Sequence, residues 1–280
     1  MSTRIMIVGT SPFDSGKTTF TGLLFDEICR RGQRIEYFKP ISAHNYWQRF
    51  SHTQDCVRQK KLFSADLAYM LAKYNTQLDE YILNPIHRMY VPTASEKPLG
   101  SVPSTLGLAG PDSVIAIQRF SRPFENGIET TTLAAEHLIE QGHLLLTTAE
   151  LEALTSGTER VRIRTFEEIQ RFENDVIEVN VNSSFKKIEE RAEIVLIESF
   201  NDTVWTWEGL NKVDAVLVVG PGQAFSFDPE RFRKAAFLQK RPSMPIREVT
   251  FNRINDLLKV QSLTSWSPTG IENLNEVLNE

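Results

Sequence analysis

The sequence predicts an α/β protein with a mostly parallel, doubly wound sheet in three layers (α/β/α), into which an α+β segment is inserted. Strand-like and helix-like segments alternate near both ends of the chain, and the first strand leads through a glycine-containing loop directly into a helix. The alternation is lost over residues 96–182, which we predict to be an insertion or subdomain. Residues 1–95 and 183–280 then form the main domain.

The N-terminal segment predicts a βαβ unit. Residues 4–8 form a short apolar run typical of a strand that is buried on both faces. Residues 18–31 carry apolar side chains at helical spacing, and Gly32 ends the helix. Residues 34–38 predict the next strand, which Pro40 ends.

The rest of the main domain continues the alternation. Its predicted elements are a helix at 183–191, strands at 194–197, 215–219 and 246–251, and helices at 229–239 and 270–278. Before and within the insertion, the pattern predicts a helix at 64–75, a loop at 96–111 and helical pieces at 129–141, 148–154 and 165–173.

Composition excludes several classes of protein. The chain has 280 residues, is 41% hydrophobic and 24% charged, and carries a formal charge of −5. Such values are typical of globular proteins and favour neither nucleic acid nor an anionic membrane as a partner. The sequence shows no secretory signal and no apolar run of about 18 residues. Its two cysteines fit a reducing interior, so we expect a soluble cytoplasmic protein.

The loop IVGTSPFDSGKTT at 7–19 predicts an anion site. A loop that enters a helix turns its free backbone N–H groups and the positive end of the helix dipole toward a ligand. Gly16 permits close approach, Lys17 reaches the β- and γ-phosphates, and the Thr18 hydroxyl suits Mg²⁺. We therefore predict a P-loop. Its nucleotide-binding residues are Gly9, Thr10, Ser15, Gly16, Lys17, Thr18 and Thr19.

Four further segments follow the loop, and they occur in the order seen in one group of P-loop proteins. They are YFKPIS at 37–42, NPIHRMYVPTAS at 84–95, EIVLIESFND at 193–202 and VTFNRIND at 249–256. With the loop, these segments resemble the dethiobiotin synthetase and cobyrinic acid a,c-diamide synthase branch of P-loop proteins. The resemblance covers residues 1–95 and 183–280, and residues 96–182 have no recognised counterpart.

The resemblance implies roles for individual residues. Lys39 faces the substrate and the transferred phosphoryl group, and Asp14 occupies the acidic place before Gly16. Asp55 and Glu198 are implied Mg²⁺ ligands together with Thr18, and Asn252 contacts adenine. Asn255 stands where GTP-binding relatives carry an aspartate, which favours ATP. Ser199, Phe200 and Asn201 replace glycines of the family, which argues against dethiobiotin synthesis itself.

Two functions follow as hypotheses. The first is a Mg²⁺-dependent ligase or ATPase that transfers the γ-phosphoryl group of ATP to a small carboxylate or carbamate, with Lys17, Lys39 and Asp14 as catalytic residues. The alternative is a nucleotide-dependent switch or assembly ATPase that acts on a protein partner. A homodimer is expected, because the family that the chain resembles commonly shares its site across a dimer. His44, His52 and His87 are expected to have ordinary polar roles or to contact substrate.

Overall fold

The computed structural model describes residues 2–94 and 113–272 and separates into two compact units. The first unit comprises residues 1–41, 70–78 and 185–280, and the second comprises residues 42–69 and 79–184. The predicted loop at 96–111 lies outside the described residues. The predicted domains comprise the residues that the family resemblance does or does not cover, whereas the two units are defined by their compactness. The predicted bounds therefore stay a prediction.

The helices and strands are numbered along the chain. The strands are β1 (Thr3–Gly9), β2 (Ile35–Phe38), β3 (Ile41–Asn45), β4 (Ile86–Pro92), β5 (Ser113–Phe124), β6 (Gly127–Ala134), β7 (Glu159–Arg162), β8 (Ile194–Glu198), β9 (Ala215–Gly220), β10 (Gln223–Phe227), β11 (Val260–Ser267) and β12 (Gly270–Ile271). The helices are α1 (Lys17–Arg30), α2 (Phe50–Gln59), α3 (Ala65–Leu71), α4 (Glu80–Leu83), α5 (Glu136–Glu140), α6 (Thr148–Leu154), α7 (Phe166–Glu189) and α8 (Pro229–Gln239).

The predicted fold class is wrong, because both sheets are mixed. The first is seven-stranded, in the order β12-β11-β10-β9-β1-β8-β2. Its strands are parallel from β9 to β2, whereas β10, β11 and β12 pair antiparallel. The second sheet is five-stranded, in the order β3-β4-β5-β6-β7, with antiparallel β4, β5 and β6 and a parallel β7. Residues 2–94 and 113–272 therefore do not form the predicted mostly parallel three-layer arrangement.

A tight turn explains where the first sheet departs from the prediction. Gly220 pairs with Gln223, so Pro221 and Gly222 alone connect β9 to β10. Gly222 has φ 75°, which suits the third position of a type II turn after proline. A parallel sheet needs a crossover at this point, but the Pro-Gly turn reverses the chain and makes a hairpin.

Three predicted elements also differ. The predicted helix at 129–141 is mostly β6, because a run of β-branched threonines pairs with β5, and only Glu136–Glu140 is helical. The predicted strand at 246–251 is replaced by short 3-10 helices, among them Ile246–Glu248 and Phe251–Arg253. Of the predicted helix at 270–278, Gly270–Ile271 is a strand and the remainder lies mostly outside the described residues.

The parallel part of the first sheet is the rigid base of the candidate site. Residues 5–8 of β1 and 195–197 of β8 are buried, as the apolar runs predict. The carboxyl ends of β1, β8 and β2 lie along one edge of this sheet. Strands buried on both faces position their end residues firmly, which suits a binding site.

Within residues 2–94 and 113–272, no helix is long and apolar enough to cross a membrane.

Candidate functional site

The loop from β1 to α1 leads from a buried strand directly into a helix. Strand β1 ends at Gly9, and α1 begins at Lys17 after Gly16, whose φ of 84° is left-handed. The Thr10 N–H donates to the Val219 carbonyl (2.9 Å), which ties the loop to β9. The first turn of α1 carries no acidic residue, so no carboxylate there offsets the positive end of the helix dipole.

The Lys17 side chain folds back over this loop. Its Nζ donates to the Ser15 hydroxyl at 3.1 Å, and the side chain is buried. A Cβ atom added at Gly9 would lie 2.7 Å from Lys17 Nζ and 2.8 Å from Ser15 Oγ. Only glycine therefore fits at position 9 with the lysine in this conformation. The ammonium group is directed over the loop instead of into solvent.

A buried polar cluster lies at the end of β8. Glu198 is fully buried, and its Oε1 accepts hydrogen bonds from Thr18 Oγ1 (2.8 Å) and Lys39 Nζ (2.6 Å). The Tyr37 hydroxyl donates to Oε2 at 3.1 Å, and Lys39 also donates to the Ser199 carbonyl at 3.2 Å. The structure thus joins the first residues of α1 to the ends of β2 and β8 through one carboxylate.

The Thr18 hydroxyl and the Glu198 carboxylate are oxygen ligands of the kind that Mg²⁺ binds. The ion is commonly held by one or two protein oxygens, with phosphates and waters completing its octahedron. Among the described residues, no group of three or more His, Cys, Asp or Glu side chains is placed to hold a metal ion. Thr18 and Glu198 are thus the oxygen ligands that this cluster offers to such an ion.

Three other sequence-predicted residues have the following local settings. Asp14 is exposed and has a left-handed backbone (φ 53°). Asn252 is exposed on the 3-10 helix Phe251–Arg253 instead of ending a strand. Asp55 belongs to α2 of the second unit, where its carboxylate pairs with Arg58. Their predicted roles stay predictions.

Asp202, for which no role was predicted, lies on the segment after β8. It follows β8 by four residues and is only 5% exposed. Burial raises the pKa of this carboxyl, while the nearby Lys17 charge lowers it. The signal present in the sequence was Asp202 itself, an acidic residue four positions after Glu198 in the segment EIVLIESFND.

No family model, no curated protein and no solved structure matched this chain. The resemblance to dethiobiotin synthetases stays a prediction from the quoted motifs. Function is therefore argued from the geometry of the loop and the buried cluster.

Trp266, on β11, packs against the loop. Its indole Nε1 donates to the Gly220 carbonyl (2.9 Å), and its ring meets Phe20 edge-on at 5.7 Å. A Cβ atom at Gly16 would lie 2.5 Å and 2.7 Å from two ring carbons of Trp266. The hydrogen bond to Gly220, just before the Pro-Gly turn, thus holds the indole ring of Trp266 against the start of α1.

We predict that Gly16→Ala is more destabilising than Gly32→Ala. Both glycines have positive φ, 84° and 77°, so each replacement costs about 1–2 kcal/mol of backbone strain. Gly32 has no neighbour within 4 Å of an added Cβ, whereas Gly16 meets Trp266. We expect an excess loss of about 1 kcal/mol or more for Gly16→Ala in urea unfolding, with altered tryptophan fluorescence. Equal losses would contradict the packing of Trp266 on Gly16.

The second unit contains a buried chain of histidines. Hydrogen bonds join Ser42 Oγ to His87 Nδ1 (2.6 Å), His87 Nε2 to His44 Nδ1 (2.7 Å) and His44 Nε2 to Thr53 Oγ1 (3.2 Å). Burial lowers the pKa of His44 to about 3 and that of His87 well below its usual value. The charges of His52, Arg49 and Arg119 act in the same direction, and Asp66 opposes them at His44.

Because His44 and His87 are buried, we predict that the protein loses stability in acid. Both imidazoles are neutral in the folded state, so the unfolded state binds more protons below pH 6.5. The contribution of the two neutral histidines to the free energy of unfolding is complete above that pH. As the pH falls toward 3, the free energy of unfolding decreases by about 1.4 kcal/mol per pH unit for each histidine. Urea unfolding from pH 7 to pH 5 measures this slope. We expect a shallower slope for His44→Gln, and an unchanged slope would contradict the prediction.

Proposed function

We propose that the β1–α1 loop binds the phosphates of ATP together with Mg²⁺, and that the protein transfers the γ-phosphoryl group to a small carboxylate or carbamate. The position of Lys17 is the observation that carries this proposal. Its ammonium group lies over Gly9 and Ser15 at the start of α1, where an incoming phosphate would meet a cation and the positive end of the helix dipole together.

The buried cluster supports the same function. Thr18 and Glu198 would hold Mg²⁺, which would neutralise charge on the phosphates and orient them. Lys39 hydrogen-bonds Glu198 at the edge of the sheet. From there its ammonium group can stabilise the charge of a transferring phosphoryl group. Tyr37 fixes the other carboxylate oxygen and so keeps Glu198 oriented.

The proposal rests on local geometry and not on the fold, since the sheets are mixed. Strands β1, β8 and β2 are parallel, and their carboxyl ends provide the edge at which the loop, Glu198 and Lys39 meet. Ligands of α/β sheets bind beyond this end of the strands. The antiparallel strands β10 and β11 lie further from β8 in the sheet, beyond β9.

Phosphate release separates the ligase from the switch. The purified protein is incubated with Mg²⁺ and ATP against a panel of small carboxylates and amines, with Lys17→Ala as a control. The proposal expects release that rises with one class of acid and depends on Lys17. Release that is negligible with every acid, but rises with a protein partner, would favour the switch and overturn the ligase.

A further inference from the structure

Two hydrogen bonds converge on one oxygen of the Glu198 carboxylate. Oε1 accepts Lys39 Nζ at 2.6 Å and Thr18 Oγ1 at 2.8 Å, while Oε2 accepts the Tyr37 hydroxyl at 3.1 Å. A carboxylate oxygen has two lone-pair directions, so the lysine and the threonine together use both directions of Oε1. The carboxylate oxygen beside Thr18 is therefore already bound to a cation, the Lys39 ammonium group.

The ion pair of Lys39 and Glu198 is buried. The Lys39 side chain is 3% exposed and that of Glu198 is 0% exposed. Lys39 follows β2 and Glu198 ends β8, and these two strands are parallel neighbours in the sheet. Lys39 Nζ also donates to the Ser199 carbonyl at 3.2 Å. The sheet thus brings the ammonium group to the carboxylate and away from water.

We propose that Lys39 takes the place of the metal ion at Glu198 in the nucleotide-free protein, and that Mg²⁺ binds there tightly only when ATP gives the displaced ammonium group a new partner. This inference rests on the proposed function, because it assumes that ATP phosphates and Mg²⁺ bind at the β1–α1 loop. It assigns Lys39 the role of coupling the binding of the metal ion to the binding of the nucleotide.

The charges explain the coupling. Mg²⁺ binds oxygen ligands at about 2.0–2.1 Å. An ammonium group held 2.6 Å from the same oxygen repels a divalent cation strongly in a buried site. Moving the buried ammonium group away from Glu198 removes its anionic partner, which is costly unless another anion replaces the carboxylate. The phosphates of ATP supply such an anion, so the metal ion and the nucleotide should strengthen each other's binding.

Binding of Mn²⁺ alone, followed by the loss of the free-ion signal in electron paramagnetic resonance, tests the proposal. Mn²⁺ accepts the same oxygen ligands as Mg²⁺. We expect Lys39→Met to bind Mn²⁺ without nucleotide at least about tenfold more tightly than wild type does. Adding Glu198→Gln to Lys39→Met should abolish this gain. Lys234→Met is the matched control, because Lys234 forms an exposed ion pair with Glu230 in the same unit, and this variant should bind Mn²⁺ as wild type does.

Urea unfolding without nucleotide is the second measurement. Removing the ammonium group leaves the buried Glu198 charge without its cation, so Lys39→Met should have a lower urea midpoint than wild type. Mn²⁺ should raise the midpoint of this variant, because it binds the folded state, and should leave the midpoint of wild type unchanged. If Lys39→Met does not fold, Lys39→Gln serves in both measurements, because glutamine can still donate to Glu198 and carries no charge.

Equal affinities of wild type and Lys39→Met for Mn²⁺ would overturn the proposal. A loss of stability that Mn²⁺ does not reverse would also overturn it, because a purely structural ion pair behaves in that way. Both measurements contain no nucleotide, so their results are separate from the proposed function. Failure of wild type to bind ATP in the presence of Mg²⁺ would instead overturn the proposed function.

Discussion

Lys17→Ala is expected to abolish ATP binding. The replacement removes the ammonium group that lies over Gly9 and Ser15, while the loop and α1 remain. Truncating one partner of a buried, hydrogen-bonded charge pair costs about 2–5 kcal/mol, which is on the order of thirtyfold to several thousandfold in Kd. Isothermal titration calorimetry with Mg·ATP measures the change.

The matched control is Lys234→Ala. Lys234 lies on α8 of the same unit and is exposed, and it pairs there with Glu230. This variant should bind ATP as wild type does. An unchanged affinity of the Lys17→Ala protein, with its melting curve intact, would remove the basis of both the ligase and the switch.

Glu198→Ala is expected to destabilise the first unit strongly. The replacement leaves the Lys39 ammonium group, itself only 3% exposed, without its carboxylate partner, and it removes the acceptor of Thr18 and Tyr37. Breaking a buried ion pair from one side costs about 3–5 kcal/mol, because the remaining charge stays buried. Urea unfolding at neutral pH measures the loss.

Two further variants show whether the buried charge causes this loss. Glu230→Ala removes a carboxylate from an exposed pair on α8 and should cost at most about 1 kcal/mol. Combining Glu198→Leu with Lys39→Met removes both charges and should regain much of the stability lost by Glu198→Ala. If the double variant is as unstable as Glu198→Ala, hydrogen bonds and packing outweigh the buried charge.

Local patterns predicted the part of the fold that carries the site. The buried strands β1 and β8, helix α1 and the end position of Glu198 follow from apolar runs, helical spacing and a loop that joins strand to helix. Helix α8 has the predicted bounds, Pro229–Gln239, because Asp228 caps its start and Pro229 is its first residue. Such signals act within a few residues and are readable from one sequence.

The rest depended on pairing partners that a sequence does not show. The Pro-Gly dipeptide at 221–222 signals a turn, but it does not reveal that β10 pairs back onto β9, and the antiparallel half of the first sheet follows from that pairing. The threonine run of β6 is compatible with a helix until β5 pairs with it. Trp266 reaches the loop through a tertiary contact, namely the indole bond to Gly220.

A structure of the protein with a non-hydrolysable ATP analogue and Mg²⁺ tests the central claim most directly. We expect the β- and γ-phosphates on the backbone N–H groups of the β1–α1 loop and on Lys17 Nζ, with Mg²⁺ held by Thr18 and Glu198. Phosphates bound elsewhere, or a loop that stays empty at saturating analogue, would contradict the account.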